Sequence, residues 1–246
     1  MRLIFPTASG AGIGTPDLAD LYAYPPAPWV RANFVSSADG AASVNGRSRG
    51  LSSEADRRLF ALLRTLCDVI MVGAGTVRAE HYGAVRPDEM TPGLREGRTP
   101  VPPIAVVTRR LSLDLSSRLF TAAQPGARTI VITTEQAPAE LRASAQLVAD
   151  VIIAGAESCE LPVVLSALAE RGYPRVLAEG GPHMLTELAE QEVLDELDLT
   201  LSPLLALGGA GRITTAVGPG SPAPLRLAHV LEDDDHLFCR YTRAGR

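Results

Sequence analysis

An acidic side chain stands directly before two glycines in LAEGGPHML, residues 177–185. An apolar run typical of a strand ends at Glu179, and a run with helical spacing begins after Pro182. Free N–H groups and the helix dipole favour an anion at a helix N-terminus, and glycine lets a ligand approach the backbone. Gly180 and Gly181 therefore predict a phosphate-binding junction. Because a carboxylate repels a phosphate, we expect Glu179 to point away from the glycines, toward a second ligand.

A second glycine-rich junction, GAGTV at residues 73–77, follows the apolar run DVIMVG. Neither junction has the full G-x-G-x-x-G spacing, and neither is a Walker loop, which needs a lysine. Glycine at a strand–helix turn is also typical of an ordinary tight turn. Two such junctions in one chain favour a bound nucleotide. The glycine-rich loop at 207–212 is a candidate third contact, although a surface loop explains it equally well.

The composition restricts the possible classes of function. The chain has 246 residues, 46% of them apolar, and its net charge of −5 argues against a general nucleic-acid binder. All 23 basic residues are arginine, so no lysine Schiff base can form. Cys67, Cys159 and Cys239 are widely spaced, which predicts buried, reduced thiols in a cytoplasmic protein rather than a zinc site or a disulfide framework. No signal-peptide pattern and no run of about 18 apolar residues is present, so we expect no membrane partner.

Alternating strands and helices must position these residues. Strands are predicted at 29–37, 68–73, 103–108, 128–134, 147–155, 175–180 and 196–203. The last of these is predicted to be half-exposed, because leucines alternate with polar residues along it. Helices are predicted from Ser53, whose capping box ends at Asp56, then after Gly73, at 161–172 and at 182–192.

The chain ends in a predicted hairpin, residues 225–232 and 236–242, around Asp233-Asp234-Asp235. We interpret these acids as a solvated turn, and we expect no metal site. The order of elements predicts an α/β fold with a mostly parallel central sheet, helices on both faces and an antiparallel C-terminal hairpin at the edge. Residues 1–28 are interpreted as an N-terminal arm and residues 29–246 as a single domain.

Several short motifs follow one another in an order that resembles one family. They are WVRANFVSSADG, the LLR of the first predicted helix, VGAGTVRAE, LAEGG and VLDELDLTLSPLLALGG. Together they resemble the RibD C-terminal domain, the reductase domain of the bifunctional riboflavin-biosynthesis deaminase-reductase. The resemblance implies a dihydrofolate-reductase-like fold and NADPH-dependent reduction of a ribosylaminopyrimidine phosphate at C1′ of its sugar. The H-x-E and P-C-x-x-C signature of the fused deaminase is absent from the sequence.

The resemblance also implies roles for individual residues. The catalytic acids would be Asp39 and Glu179. The residues on the substrate side would be Asn33, Ser48, Arg64, Glu80 and Arg86, of which Ser48 and the two arginines match residues that hold the substrate's 5′-phosphate. The residues that contact NADPH would be Gly73, Gly75, Thr76, Thr108, Arg109, Gly180, Gly181, Leu207 and Gly208. Arginine suits a phosphate because its planar fork binds two oxygens at once.

Two departures from the family pattern lie on the substrate side. Asn33 stands where the family usually has a lysine, and Glu80-His81-Tyr82 stands where it often has Asp-Asp-Pro. The segment LYAYP, residues 21–25, resembles stand-alone actinobacterial homologues, for which a dihydropterin or dihydrofolate is an alternative substrate. A third alternative is a nucleotide-binding protein without turnover. We expect a homodimer by analogy with relatives of this type.

Overall fold

The computed structural model describes residues 1–6, 12–26, 28–215 and 221–245. In these residues ten strands form one sheet, in the order β1-β9-β10-β8-β2-β7-β3-β4-β5-β6. The strands are β1 (Arg2–Phe5), β2 (Trp29–Ser37), β3 (Val69–Gly73), β4 (Ile104–Val107), β5 (Ile130–Thr133), β6 (Asp150–Ile153), β7 (Arg175–Ala178), β8 (Glu196–Ser202), β9 (Leu225–Asp233) and β10 (His236–Arg243).

The sheet is mostly parallel, as the alternating elements predict. Strands β8, β2, β7, β3, β4, β5 and β6 pair parallel with one another, and β10, β9 and β1 continue the sheet, each pairing antiparallel with the strand before it. The helices are α1 (Thr15–Leu21), α2 (Glu54–Leu66), α3 (Ala74–Ala79), α4 (Arg118–Thr121), α5 (Ala139–Val148), α6 (Leu161–Glu170) and α7 (Pro182–Glu190). Among the described helices, none has both the length and the apolarity needed to span a bilayer.

Helices cover both faces of the sheet because successive strand residues point to opposite sides. On one face, Ile70 of β3 and Leu177 of β7 pack with the leucines of α2. On the other face, Met71 of β3 and Ala178 of β7 pack with α6 and α7. Central strands that are buried on both faces need nearly continuous apolar sequence, which is what the sequence shows.

The helix predicted from Ser53 begins there, since the Ser53 hydroxyl oxygen accepts a hydrogen bond from the Asp56 backbone N–H at 3.1 Å. Leu59, Leu62 and Leu63 on its inner face are buried. The predicted C-terminal hairpin is also confirmed. Its two turn residues, Asp234 and Asp235, have φ of 53° and 61°, the left-handed conformation of a tight two-residue turn that matches strand twist.

Three sequence-based expectations about the elements are corrected by the structure. Leu147 and Val148, taken as the start of a strand, end helix α5, which the sequence analysis did not predict. The C-terminal hairpin is not the edge of the sheet, because β1 pairs with β9 outside it. The interpreted N-terminal arm, of which residues 7–11 and 27 lie outside the described residues, thus contributes both a strand and helix α1.

The third correction concerns β8, which is not half-exposed. Its polar residues Glu196, Asp198 and Thr200 are at most 2% exposed. Glu196 is ion-paired with Arg31 of β2 at 2.6 Å and with Arg240 of β10 at 2.9 Å. Arg31 and Arg240 lie on the two strands that flank β8, so their positive charges neutralise the negative charge of Glu196 on one buried face of the sheet.

The N-terminal segment covers this buried group, which we call the Arg31–Glu196 cluster. The Tyr24 ring lies 4.1 Å from the Arg31 guanidinium carbon, and the backbone carbonyl of Tyr22 accepts a hydrogen bond from Arg31 at 2.8 Å. The backbone carbonyl of Leu21 accepts one from Arg240 at 2.7 Å. Burial, followed by the neighbouring Glu196, raises the pKa of Asp198 well above its usual range.

Candidate functional site

A cleft of about 1960 Å³ opens where β2, β3 and β7 end. This volume exceeds the roughly 300–1,000 Å³ of a typical single-ligand pocket, so a dinucleotide and a second small molecule can be accommodated together. The carboxyl ends of parallel strands are the usual ligand-binding edge of such sheets. The cleft lining includes most of the predicted site residues: Asn33, Ser48, Arg64, Gly73, Gly75, Thr76, Glu80, Arg86, Thr108, Arg109, Glu179, Gly180 and Gly181.

The two glycine-rich junctions meet in this cleft. The Gly73 N–H donates to the Gly180 carbonyl at 3.1 Å, and a methyl group at Gly181 would lie 2.7 Å from Thr76 Oγ1. The Gly180–Gly181 peptide is cis, and Gly180 has φ of +108°, a conformation that side chains disfavour. Gly181 is the N-cap of α7 and offers no side chain to its first N–H groups. The backbone surface there stays open to an anionic ligand.

Glu179 points to the opposite side of the sheet from α7. Its Oε1 accepts a hydrogen bond from Arg64 Nε and its Oε2 one from Arg64 Nη2, each at 2.7 Å. The Tyr82 hydroxyl donates to Oε2 at 2.9 Å. The Glu179 side chain is 1% exposed and that of Arg64 12% exposed. The acid therefore points away from the glycines, as expected, and is held in a bidentate ion pair.

The surroundings shift the pKa values of both partners. Burial by itself works to lower the pKa of Arg64, but the charge and hydrogen bonds of Glu179 outweigh it and raise this pKa above its ordinary value. Burial, and then the adjacent Glu179 charge, raises the pKa of Tyr82 well above 10. Arg64 therefore stays a cation and Tyr82 stays a hydroxyl donor at neutral pH.

Arg64 also contacts an acid that the sequence analysis did not single out. Glu89 Oε2 lies 3.2 Å from Arg64 Nη1, and Glu89 Oε1 lies 3.0 Å from Arg86 Nε. Ser48 and Glu80 likewise contact each other, since the Ser48 N–H and hydroxyl both donate to Glu80 Oε1 at 3.1 Å. The four predicted substrate-side residues Ser48, Arg64, Glu80 and Arg86 are thus already engaged with acidic or hydroxyl partners.

Asp39 lies outside the cleft lining, as do Leu207 and Gly208. Its carboxylate accepts a hydrogen bond from the Ser37 hydroxyl and from the backbone N–H groups of Ala206, at 3.0 Å, and Leu207, at 2.9 Å. The Ser37 bond, followed by the two backbone bonds, lowers the pKa of Asp39 to about 2. In this structure the exposed carboxylate tethers the loop after β8 to the end of β2.

Comparisons with known proteins agree with the motifs. The profile of the RibD C-terminal domain family matches residues 28–238. The chain belongs to this family.

The chain is 32% identical over 194 residues to the 2,5-diamino-6-ribosylamino-4(3H)-pyrimidinone 5′-phosphate reductase of Archaeoglobus fulgidus, covering 78% of this chain and 87% of that one. It is also 32% identical over 209 residues to the protein of the same name from Aquifex aeolicus, covering 82% and 88%. A solved pyrimidine reductase-like protein from Corynebacterium diphtheriae has a TM-score of 0.81 at 25% identity, covering 95% of this chain and 100% of that one.

Membership of the RibD C-terminal domain family supports a reductase of the riboflavin pathway and a small pyrimidine substrate. The family pattern did not indicate Tyr82, because it often has proline at that position. It did not indicate Glu89 either, since a single partly buried acid at the end of the short 3₁₀ helix Pro87–Glu89 carries no sequence pattern. Chemistry alone offered one signal for Tyr82, because a buried carboxylate such as Glu179 requires charged or hydrogen-bonding partners. Arg64 and Tyr82 are those partners.

Proposed function

We propose that the chain reduces the riboflavin-pathway ribosylaminopyrimidine 5′-phosphate with NADPH at C1′ of the sugar, giving a ribityl chain. The observation that carries the proposal is that an open glycine junction and a buried, arginine-bound carboxylate lie in the same cleft, on opposite sides of β7. One side suits the diphosphate of a dinucleotide and the other suits a polar ring. The names of the archaeal and Aquifex relatives support the substrate class.

The residues at the glycine junction fit a dinucleotide. At Gly180 an added methyl group would meet nothing nearer than 3.8 Å, so the glycine leaves space there, whereas one at Gly181 would clash with Thr76 Oγ1 at 2.7 Å. The uncapped start of α7 offers N–H donors. Thr76 faces the same space, and Thr108 and Arg109 lie in the cleft after β4. These residues would hold NADPH, which supplies the hydride when bound.

Glu179 would meet the ring of the substrate. A carboxylate has about four acceptor positions, and Arg64 and Tyr82 occupy three of them. One position on Oε1 remains for a ring N–H. The negative charge, fixed in place by Arg64 before the reaction, would stabilise positive charge that develops on the substrate as hydride arrives.

The substrate phosphate would be bound by Arg64, Arg86 and Ser48. Arg64 and Arg86 share Glu89 between them, so their guanidinium groups converge on one place in the cleft. Asp39 lies outside the cleft lining, where its carboxylate holds the loop at 206–207. Its proposed catalytic role would require that loop to fold toward the ligands.

A second candidate function is the reduction of a dihydropterin or dihydrofolate. It is favoured by Asn33, which lines the cleft without the positive charge that a lysine would bring. A dihydropterin ring carries no phosphate, so its binding does not require the positive charge that a lysine at position 33 would bring.

Following NADPH oxidation with each substrate in turn tests the proposal. Turnover with the ribosylaminopyrimidine phosphate, and a much lower rate with dihydrofolate, is the expected result. Turnover with dihydrofolate alone would replace the first function by the second. Tight NADPH binding without turnover of either substrate would leave a nucleotide-binding protein. Repeating the assay with NADH tests the choice of cofactor.

A further inference from the structure

Glu89 lies between the two arginines that are proposed to bind the substrate phosphate. Its Oε2 is 3.2 Å from Arg64 Nη1, and its Oε1 is 3.0 Å from Arg86 Nε. Each oxygen of one carboxylate therefore contacts one of the two guanidinium groups. Glu89, Arg64 and Arg86 all line the cleft, so this carboxylate stands in the place of an anionic ligand.

The edge of Arg64 that Glu89 contacts is the one left for a ligand. Arg64 uses Nε and Nη2 to bind Glu179 at 2.7 Å each, and its guanidinium lies 4.3 Å from the centre of the Phe60 ring. Nη1 is the nitrogen outside that bidentate pair. A phosphate oxygen that reaches Arg64 must therefore approach near Nη1, where it meets Glu89.

The contacts of Glu89 are of a kind that a phosphate can displace. The Glu89 side chain is 31% exposed and that of Arg86 is 58% exposed, so water screens the pair. A phosphate monoester carries between one and a half and two negative charges and three acceptor oxygens, against one charge on Glu89. A phosphate therefore binds two convergent arginines more strongly than one partly exposed carboxylate does.

We propose that Glu89 is a specificity-determining residue that occupies the anion position between Arg64 and Arg86 until the substrate's phosphate displaces it. This inference rests on the proposed function, because it takes the two arginines as phosphate ligands. A ligand without a phosphate leaves the Glu89 contacts in place. A phosphorylated ligand must compete with Glu89, so the charge of Glu89 sets how strongly the phosphate is bound.

The variant Glu89→Gln tests the proposal, with Asp88→Asn as the matched control. Asp88 lies in the same turn, 3.3 Å from Arg86 Nε, and is 72% exposed. No contact between Asp88 and Arg64 is present in the described part of the chain. Binding of ribose 5-phosphate and of ribose is measured by calorimetry at low ionic strength. The KM and kcat values are measured with the ribosylaminopyrimidine phosphate.

We expect Glu89→Gln to tighten ribose 5-phosphate binding and to lower the KM for the phosphorylated substrate by about three- to tenfold. Ribose binding, the KM for NADPH and kcat are expected to change by less than about twofold. Asp88→Asn is expected to change the same phosphate readouts by no more than about twofold. Unchanged or weaker ribose 5-phosphate binding in Glu89→Gln would overturn the proposal, since Glu89 would then position Arg64 rather than compete for it.

The binding measurement separates this inference from the proposed function. If Glu89→Gln binds ribose 5-phosphate more tightly than the unchanged chain does, but neither of the two turns over the pyrimidine, the proposed function is wrong and the competition between Glu89 and phosphate is supported. If the pyrimidine is turned over but Glu89→Gln does not tighten phosphate binding, the function stands and the competition is refuted.

Discussion

Replacing Glu179 by glutamine separates the chemical role of the acid from a structural one. Both Glu179 oxygens accept hydrogen bonds from Arg64, at 2.7 Å each, and Oε2 also accepts one from Tyr82 at 2.9 Å. Glutamine has one carbonyl oxygen and one NH2 group, so its NH2 must face an arginine N–H donor and one bond is lost. Breaking a buried ion pair from one side costs about 3–5 kcal/mol. We expect the lower end, about 3 kcal/mol, because Arg64 keeps Glu89 at 3.2 Å.

Three measurements on Glu179→Gln check this reasoning. Urea unfolding should show the loss of about 3 kcal/mol in unfolding free energy. The Kd for NADPH should stay within about twofold, because the glycine junction lies on the other side of β7. The kcat should fall by about a hundredfold or more, the usual effect of removing one electrostatic group from an active site.

A double variant, Glu179→Leu with Arg64→Met, provides the control. Replacing both partners of a buried pair by apolar groups is often neutral for stability, so this chain should recover most of the lost unfolding free energy without recovering turnover. Loss of NADPH binding in Glu179→Gln would refute the reasoning, since the acid would then support the cofactor site. Full turnover in either variant would refute it as well.

Four further predictions address the surrounding structure. Tyr82→Phe removes one hydrogen bond to a charged group, worth about 1.5 kcal/mol, and should lower kcat about tenfold without changing the KM for NADPH; an unchanged kcat would contradict this. Gly181→Ala places a methyl group 2.7 Å from Thr76 Oγ1, so the Tm measured by differential scanning fluorimetry should fall by several degrees, and Thr76→Ala in the same chain should restore it. Burial, and then the Arg240 charge, lowers the pKa of His229 to about 4. The unfolded chain takes up this proton near pH 6.5, so the stability contributed by the neutral ring is complete above that pH and is lost as the pH falls toward 4. The unfolding free energy should change by at most about 1.4 kcal/mol per pH unit in this range, and His229→Phe should flatten this slope in urea titrations. Asp39→Asn can keep only part of the hydrogen bonding to the loop at 206–207, so limited proteolysis should cut this loop faster, whereas an unchanged cleavage rate would show that the tether contributes nothing.

Much of the fold could be predicted because its signals are local. The nearly continuous apolar runs of β3, β4 and β5 indicate strands buried on both faces, and Ser53 marks the start of α2. The pairing of β9 with β10 follows from an acidic two-residue turn between apolar runs. Each of these features depends on residues within a few positions of one another.

The polar face of β8 could not be predicted in this way. Alternation of Leu197 with Glu196 and Asp198 is typical of a strand with one face in water, and that was the interpretation. The face is buried because Arg31 and Arg240, far away in the sequence, supply the opposite charges. Spacing along one strand contains no information about such partners.

The candidate site shows the same limit. The glycine junctions and Glu179 could be predicted from one short stretch each, and the structure brings them to one cleft. The partner of Glu179 could not be predicted in this way, since the resemblance assigned Arg64, together with Ser48 and Arg86, to the substrate's phosphate. The bidentate pair of Arg64 with the acid depends on the packing of α2 against β7. The roles of these residues stay predictions until the variants are measured.

The pairing of β1 with β9 has a consequence for how the protein is made. Leu3 pairs with Leu231, so β1 can join the sheet only after β9, more than 200 residues later in the chain, has been synthesised. On the ribosome, β1 and α1 emerge long before β9 and β10 are synthesised, and until then the carbonyl of Leu21 lacks its Arg240 donor. The parallel strands from β2 to β7 can assemble during translation, whereas the sheet edge at β1 closes only when the hairpin of β9 and β10 has left the exit tunnel. A ribosome that stalls before β9 would therefore leave β8 as an unpaired edge strand, with Glu196 lacking its Arg240 partner.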